Sequence, residues 1–169
     1  MTTSKRLALA IVFGMLIFVT KTVLPAPINK IVIVIHAFLL ALGALLLGKI
    51  GATYVSVVGG ILTAVWNVAL APVSFLFAVV YGLLVDGFNI IFKVNPSNRK
   101  IDAWRLIVTM TLSTALVGLM SYFMTLWMGL ILRNFTMEIG ILLIGFFSGA
   151  VAGYIAAIIW NKYLKNFKI

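Results

Sequence analysis

The sequence predicts an all-α polytopic membrane protein: a single domain over residues 1–169 with about six transmembrane helices and both termini in the cytoplasm. Three observations predict it. Of the 169 residues, 64% are apolar and 9% charged, and the mean hydropathy is +1.23, a composition whose apolar surface no water-soluble core would hide. Apolar runs near or above spanning length are separated by charges or by Pro and Gly punctuation. The basic residues gather at alternate ends of those runs, as a fixed orientation in a bilayer requires. At roughly 20 residues per span the chain accommodates at most about seven helices, with no room for a soluble domain among them.

The first run, Leu7–Leu24, follows Lys5-Arg6 and carries Lys21 near its far end. A basic start before a short apolar stretch also fits a signal peptide, but Leu24-Pro25-Ala26-Pro27 is a poor small-residue cleavage site. The run is therefore read as a retained helix whose Lys21 snorkels outward. The second and third runs, Ile31–Gly48 and Ala52–Ala71, meet at Gly48-Lys49-Ile50-Gly51, and the third and fourth (Ser74–Phe92) at Leu70-Ala71-Pro72-Val73. Turns this short force antiparallel neighbours. Trp104–Leu132 and Ile139–Trp160 complete the series.

With the amino terminus inside, Lys5, Arg6, Lys49, Lys93, Arg99, Lys100, Arg105, Lys162, Lys165 and Lys168 fall on the cytoplasmic side, and only Lys21, Lys30 and Arg133 outside. This bias sets the orientation in the cell membrane and an even number of crossings. It also accounts for the net charge of +10 without nucleic acid, because no open basic patch interleaves with aromatic residues.

Small and polar residues mark inward faces. On the sixth run Gly145, Gly149, Gly153 and Ala157 recur every four residues, which places them on one face and predicts a seam where another backbone approaches closely. Ser148 beside them lacks the flanking glycines of a nucleophile elbow and any following histidine. The third run has Ser56, Gly60, Thr63 and Asn67 at helical spacing; the fifth has Thr111, Thr114, Gly118, Tyr122, Thr125 and Gly129. Such stripes face protein, either bonding between helices or lining a ligand cavity. Asp86 is the one acidic residue inside an apolar run, and a carboxylate there needs a partner. Asn89, Lys49 and Lys93 are the candidates. A structural or partner-facing ion pair competes with a proton relay, which would want a second membrane carboxylate.

Near the outer ends of the runs lie His36, Trp66, Asn67, Tyr122 and Glu138. Aromatic rings beside one carboxylate and one amide suit a flat, polar heterocycle, cationic or amine-bearing, held between the third, fifth and sixth helices. An interfacial aromatic belt and an Arg133–Glu138 surface pair are the plainer readings. His36 has no second His or Cys to complete a metal site, and the chain has no cysteine, phosphate loop, paired aspartates or Ser/His/acid set. No metal, cofactor or catalytic centre is expected.

The layout and two stretches, Gly48-Lys49-Ile50-Gly51-Ala52-Thr53-Tyr54-Val55-Ser56 and Tyr81-Gly82-Leu83-Leu84-Val85-Asp86-Gly87-Phe88, resemble the substrate-binding S component of an energy-coupling factor transporter, most similar to its hydroxymethylpyrimidine/thiamin-precursor type. The resemblance implies a non-catalytic subunit that captures a vitamin or precursor from outside. A transmembrane coupling subunit and ABC-type ATPases would supply the work, with membrane lipid as the surrounding partner. It also implies that Ala10 and Gly14, a small-x-x-x-small pair, meet the coupling subunit, and that the loop Thr20–Lys30 lids the site. The alternative is a structural or assembly subunit of a membrane complex, its glycine seams serving only to dock helices.

Overall fold

The computed structural model describes residues 3–23, 32–68, 71–94 and 100–164. Among them the chain forms helices and turns and no strand: α1 (Thr3–Val23), α2 (Ile33–Leu47), α3 (Gly51–Trp66), α4 (Ala71–Ile91), α5 (Ala103–Trp127) and α6 (Phe135–Ile159), the last running into a π-helical turn at Trp160–Leu164. Most of the lid segment Thr20–Lys30, together with Arg99, Lys165 and Lys168, lies outside the described residues.

α1, α4, α5 and α6 with its π turn are long and apolar enough to cross a membrane. α2 and α3, at 15 and 16 residues, are about 22–24 Å long, short of a hydrocarbon core of about 30 Å. The boundaries correct those read from hydropathy. α3 stops at Trp66 instead of Ala71, because Asn67 leaves the helical region. α4 starts at Ala71 instead of Ser74: Pro72 sits in its first turn, where a missing N–H leaves no bond unmade. α5 ends at Trp127, short of Leu132, where Gly129 takes φ +70° and the N–H groups of Gly129 and Leu130 return to Leu126 and Thr125 (2.9 and 3.1 Å), a glycine-closed helix end. α6 begins at Phe135, ahead of Ile139, because the Asn134 side chain accepts the Thr136 N–H.

Polarity is inverted relative to a protein dissolved in water. Thr109, Ser113 and Thr114 are sealed inside, while Phe147 is 75% exposed and Leu83 53%. Two of these hydroxyls donate to their own helix, Ser113 to Thr109 O (2.8 Å) and Thr114 to Met110 O (2.7 Å). Only an apolar solvent makes that exchange favourable, so the bundle is embedded in a membrane.

The glycines measure how closely the helices approach. A methyl added at Gly153, Gly149 or Gly145 of α6 would meet α5 backbone: Ile107 Cα at 2.8 Å, Thr111 Cα at 2.6 Å and Ala115 Cα at 2.9 Å. The predicted seam is therefore an internal α5–α6 contact, with Ala157 also buried. Toward the other end the pair parts. A methyl at Gly118 would meet the Ile141 side chain first (3.2 Å), with α6 backbone no nearer than 4.0 Å, and Gly140 has nothing within 4 Å.

Ala10 and Gly14 are likewise internal. Ala10 is 2% exposed, and a methyl at Gly14 would meet Val58 and the Gly59 backbone of α3. The geometry displays helix packing for this pair, in place of the contact with a coupling subunit that the resemblance implies, because both residues are buried within the bundle.

Asp86 closes the same end of the bundle from α4. Its carboxylate accepts the N–H groups of Ala52 (3.1 Å) and Thr53 (2.7 Å) and the Thr53 hydroxyl (2.6 Å), the first-turn donors of α3. Its partners are neither Asn89 nor the lysines: Lys49 and Lys93 are exposed. A negative charge at a helix amino terminus is stabilised by the free amides and the dipole, which is how one acid is held inside an apolar bundle. Asn161 ties the same end, its amide bonding both the N–H and C=O of Ile101 at 2.9 Å.

Candidate binding cavity

Away from the Asp86 end the helices splay around a cavity of about 760 Å³, within the 300–1,000 Å³ usual for small-molecule sites. All six contribute to its wall: Ile17 and Lys21 from α1, His36 from α2, Ser56 and Thr63 from α3, Phe77 and Tyr81 from α4, Thr114, Tyr122 and Thr125 from α5, and Ile144 and Gly145 from α6. The polar stripes read on α3 and α5 face this space. Tyr81, on the floor, bonds Thr114 (2.8 Å); Thr114 donates to Met110 O, so the phenol gives the proton.

Of the five residues proposed from sequence to hold a ligand, two line the cavity. His36 does so with its Nε2 3.0 Å from the Thr20 hydroxyl. Tyr122 also does so, but its phenol is engaged: the oxygen accepts the Asn134 N–H (3.1 Å) and donates to the Asn134 C=O (3.2 Å), fixing the α5–α6 connection. Trp66, Asn67 and Glu138 are elsewhere. Trp66 is 70% exposed and meets Phe18 of α1 edge to face at 6.1 Å. Asn67 caps α3, its backbone N–H on Thr63 O. Glu138 pairs with Arg133 at 3.0 Å.

Sequence reading missed α4 as a wall and Lys21, exposed, as part of the cavity rim. Both carried a signal. Ser74, Phe77 and Tyr81 share one face at three- and four-residue spacing, as do Ala10, Gly14, Ile17 and Lys21. Once Ala10 and Gly14 pack inward, Ile17 and Lys21 follow on the same face, and both line the cavity.

The hydroxyls give the wall a definite character. Thr63 donates to Gly59 O (2.8 Å), Thr125 to Ser121 O (2.6 Å) and Ser56 to Thr53 O (2.9 Å). With their protons held by main-chain carbonyls, their oxygens offer lone pairs to the cavity.

Fold and cavity together define a membrane-embedded helical bundle with a cavity of small-molecule size. No family model, curated protein or solved structure matches the chain.

Proposed function

We propose that this chain is the substrate-binding subunit of a vitamin or vitamin-precursor uptake transporter of the energy-coupling factor type. In this reading it crosses the cell membrane six times with both termini cytoplasmic. It catalyses no reaction, captures a small water-soluble heterocycle from outside, and depends on a transmembrane coupling subunit and ABC-type ATPases for energy. The observation that carries the reading is the cavity, walled by all six helices at the end that carries Lys21 and Arg133. The opposite end carries Lys5, Arg6, Lys49, Lys93, Lys100, Arg105 and Lys162, the excess that marks a cytoplasmic face.

One detail of the resemblance is revised. With Ala10 buried and Gly14 packed on α3, docking to a coupling subunit falls to other residues. The hydroxymethylpyrimidine/thiamin subtype rests on the Gly48–Ser56 stretch alone, since Glu138, the carboxylate a cationic ring would seek, is paired with Arg133 outside the cavity wall.

The test is native mass spectrometry of the full-length protein released from micelles, together with affinity purification of its complex. The expected result is a one-to-one small-molecule adduct and copurifying ATPase subunits. Partners that are all integral membrane proteins, with no adduct but lipid, would replace this reading with that of an assembly subunit.

A further inference from the structure

We propose that the cavity selects an anionic ligand, with the Lys21 ammonium as its charge partner. The inference rests on reading the cavity as a ligand site. Among the described residues Lys21 is the one Lys, Arg, Asp or Glu in the lining. The chain has only three acidic side chains, and all are engaged elsewhere. Asp86 holds the amides of α3 at the far end, Asp102 pairs with Arg105 at 3.1 Å, and Glu138 pairs with Arg133 at 3.0 Å. A cation entering the cavity therefore meets no counter-charge and one like charge. An anion meets Lys21, exposed at the rim of a mainly apolar wall, where attraction is less screened than in bulk water.

The neighbouring groups fit the same chemistry. His36 is held beside Lys21 by its bond to Thr20, whose hydroxyl also lies 2.8 Å from Leu16 O. Below this polar rim the hydroxyl oxygens of Thr63 and Thr125 offer lone pairs, and Ile17, Leu40 and Phe77 supply apolar wall. The matching ligand has one anionic group on a mainly apolar body that bears an N–H or O–H donor. A water-soluble carboxylate and the headgroup of an anionic lipid share the charged feature.

The absence of cysteine makes a direct test available. Ser121→Cys in the full-length protein, held in phosphatidylcholine nanodiscs, puts a single thiol on the cavity wall. Thr136→Cys, exposed in the first turn of α6, is the control. Labelling rates are measured with neutral methyl methanethiosulfonate and with its anionic sulfonatoethyl and cationic trimethylammonioethyl analogues. The anion-to-cation rate ratio, which cancels the thiol's own reactivity, should be about tenfold higher at 121 than at 136. It should collapse in Lys21→Gln and persist in Lys21→Arg. An equal or cation-favouring ratio at 121 overturns the anion inference and leaves the ligand-site reading standing. A thiol at 121 that resists even the neutral reagent removes the cavity, and the proposed function with it. Replacing half the lipid with phosphatidylglycerol identifies the source. Slowing of the anionic reagent at 121 alone, by about threefold or more, assigns the anion to a lipid headgroup, and an unchanged rate assigns it to a soluble anion.

Discussion

Replacing Asp86 should weaken the fold more than any other single polar substitution in the bundle. Asp86→Ala leaves the N–H groups of Ala52 and Thr53 without their acceptor at a site where the carboxylate-bearing residue is 3% exposed. Each orphaned buried donor costs about 1–3 kcal/mol, and loss of the charge facing the amino terminus of α3 adds about 0.3–2 kcal/mol. The expected loss is about 2–8 kcal/mol, a large fraction of a typical total stability of about 5–15 kcal/mol. The opposing effect is that a buried charge is itself expensive. Asp86→Asn isolates it, keeping one acceptor oxygen while removing the charge, and should lose about 1–3 kcal/mol. Unfolding of the purified variants in mixed micelles on titration with dodecyl sulfate, followed by circular dichroism, reads these differences. Combining Asp86→Ala with Thr53→Val should reveal a coupling of about 1–3 kcal/mol, since Val removes the hydroxyl at 2.6 Å. An Asn variant more stable than the parent would mean that desolvation outweighs the three donors, and the capping account would be refuted.

Three further expectations follow from the same geometry. Gly149→Ala should destabilise by more than about 2 kcal/mol, because its methyl would lie 2.5 Å from Met110 O, whereas Gly140→Ala, with nothing within 4 Å, should stabilise α6 by about 0.5–1 kcal/mol; equal effects in the same unfolding titration would dismiss the wedge. Tyr122→Phe removes the phenol that meets both main-chain groups of Asn134 and should cost about 1–3 kcal/mol, seen as faster proteolysis between α5 and α6; unchanged cleavage would show that the connection is held otherwise. Hydrogen exchange read by mass spectrometry should protect 106–115 of α5 more than 117–125, since only the first stretch is closed by α6 glycines, and uniform protection along α5 would contradict that.

Sequence reading located the helices better than it located the site. Apolar runs and charge alternation fix where a span lies along the membrane normal, and Trp66, Tyr122, His36 and Glu138 were all placed at the cavity end for that reason. Depth alone does not settle which groups face one another. Trp66 stands one turn beyond Thr63, past the last cavity-facing turn of α3, where α1 takes it up through Phe18. Glu138 stands one turn before Ile141, near enough to the helix start for Arg133 to reach it. Lys21 reads as a snorkelling residue because a lysine in the last turn of an apolar helix usually is one. Its place on the cavity rim becomes legible only when Ala10 and Gly14 are recognised as buried on the same face. The partners of Asp86 are hidden for another reason: backbone amides carry no sequence signature, so only side chains such as Asn89, Lys49 and Lys93 present themselves as candidates.

The same small residues that fix the fold also shape the site. Gly145, Gly149 and Gly153 let α6 lie against α5 backbone to backbone, but the next residue in that four-residue series is Ile141, whose side chain stands between the helices at Gly118. α3 and α4 repeat the pattern. A methyl on Gly82 would strike the Ala52 and Thr53 backbone beside Asp86, whereas farther along Gly60 meets the side chains of Ala78 and Phe75. Each pair is thus closed at the Asp86 end and held apart by one side-chain layer at the other, and packed side chains do not stretch to fill what remains. A cavity at the splayed end is the geometric consequence. The closures at Gly149, Gly153 and Gly82 and the Asn161–Ile101 bonds stand apart from its wall, which begins at Gly145, so occupancy can change at one end while the packing that stabilises the bundle stays in place at the other.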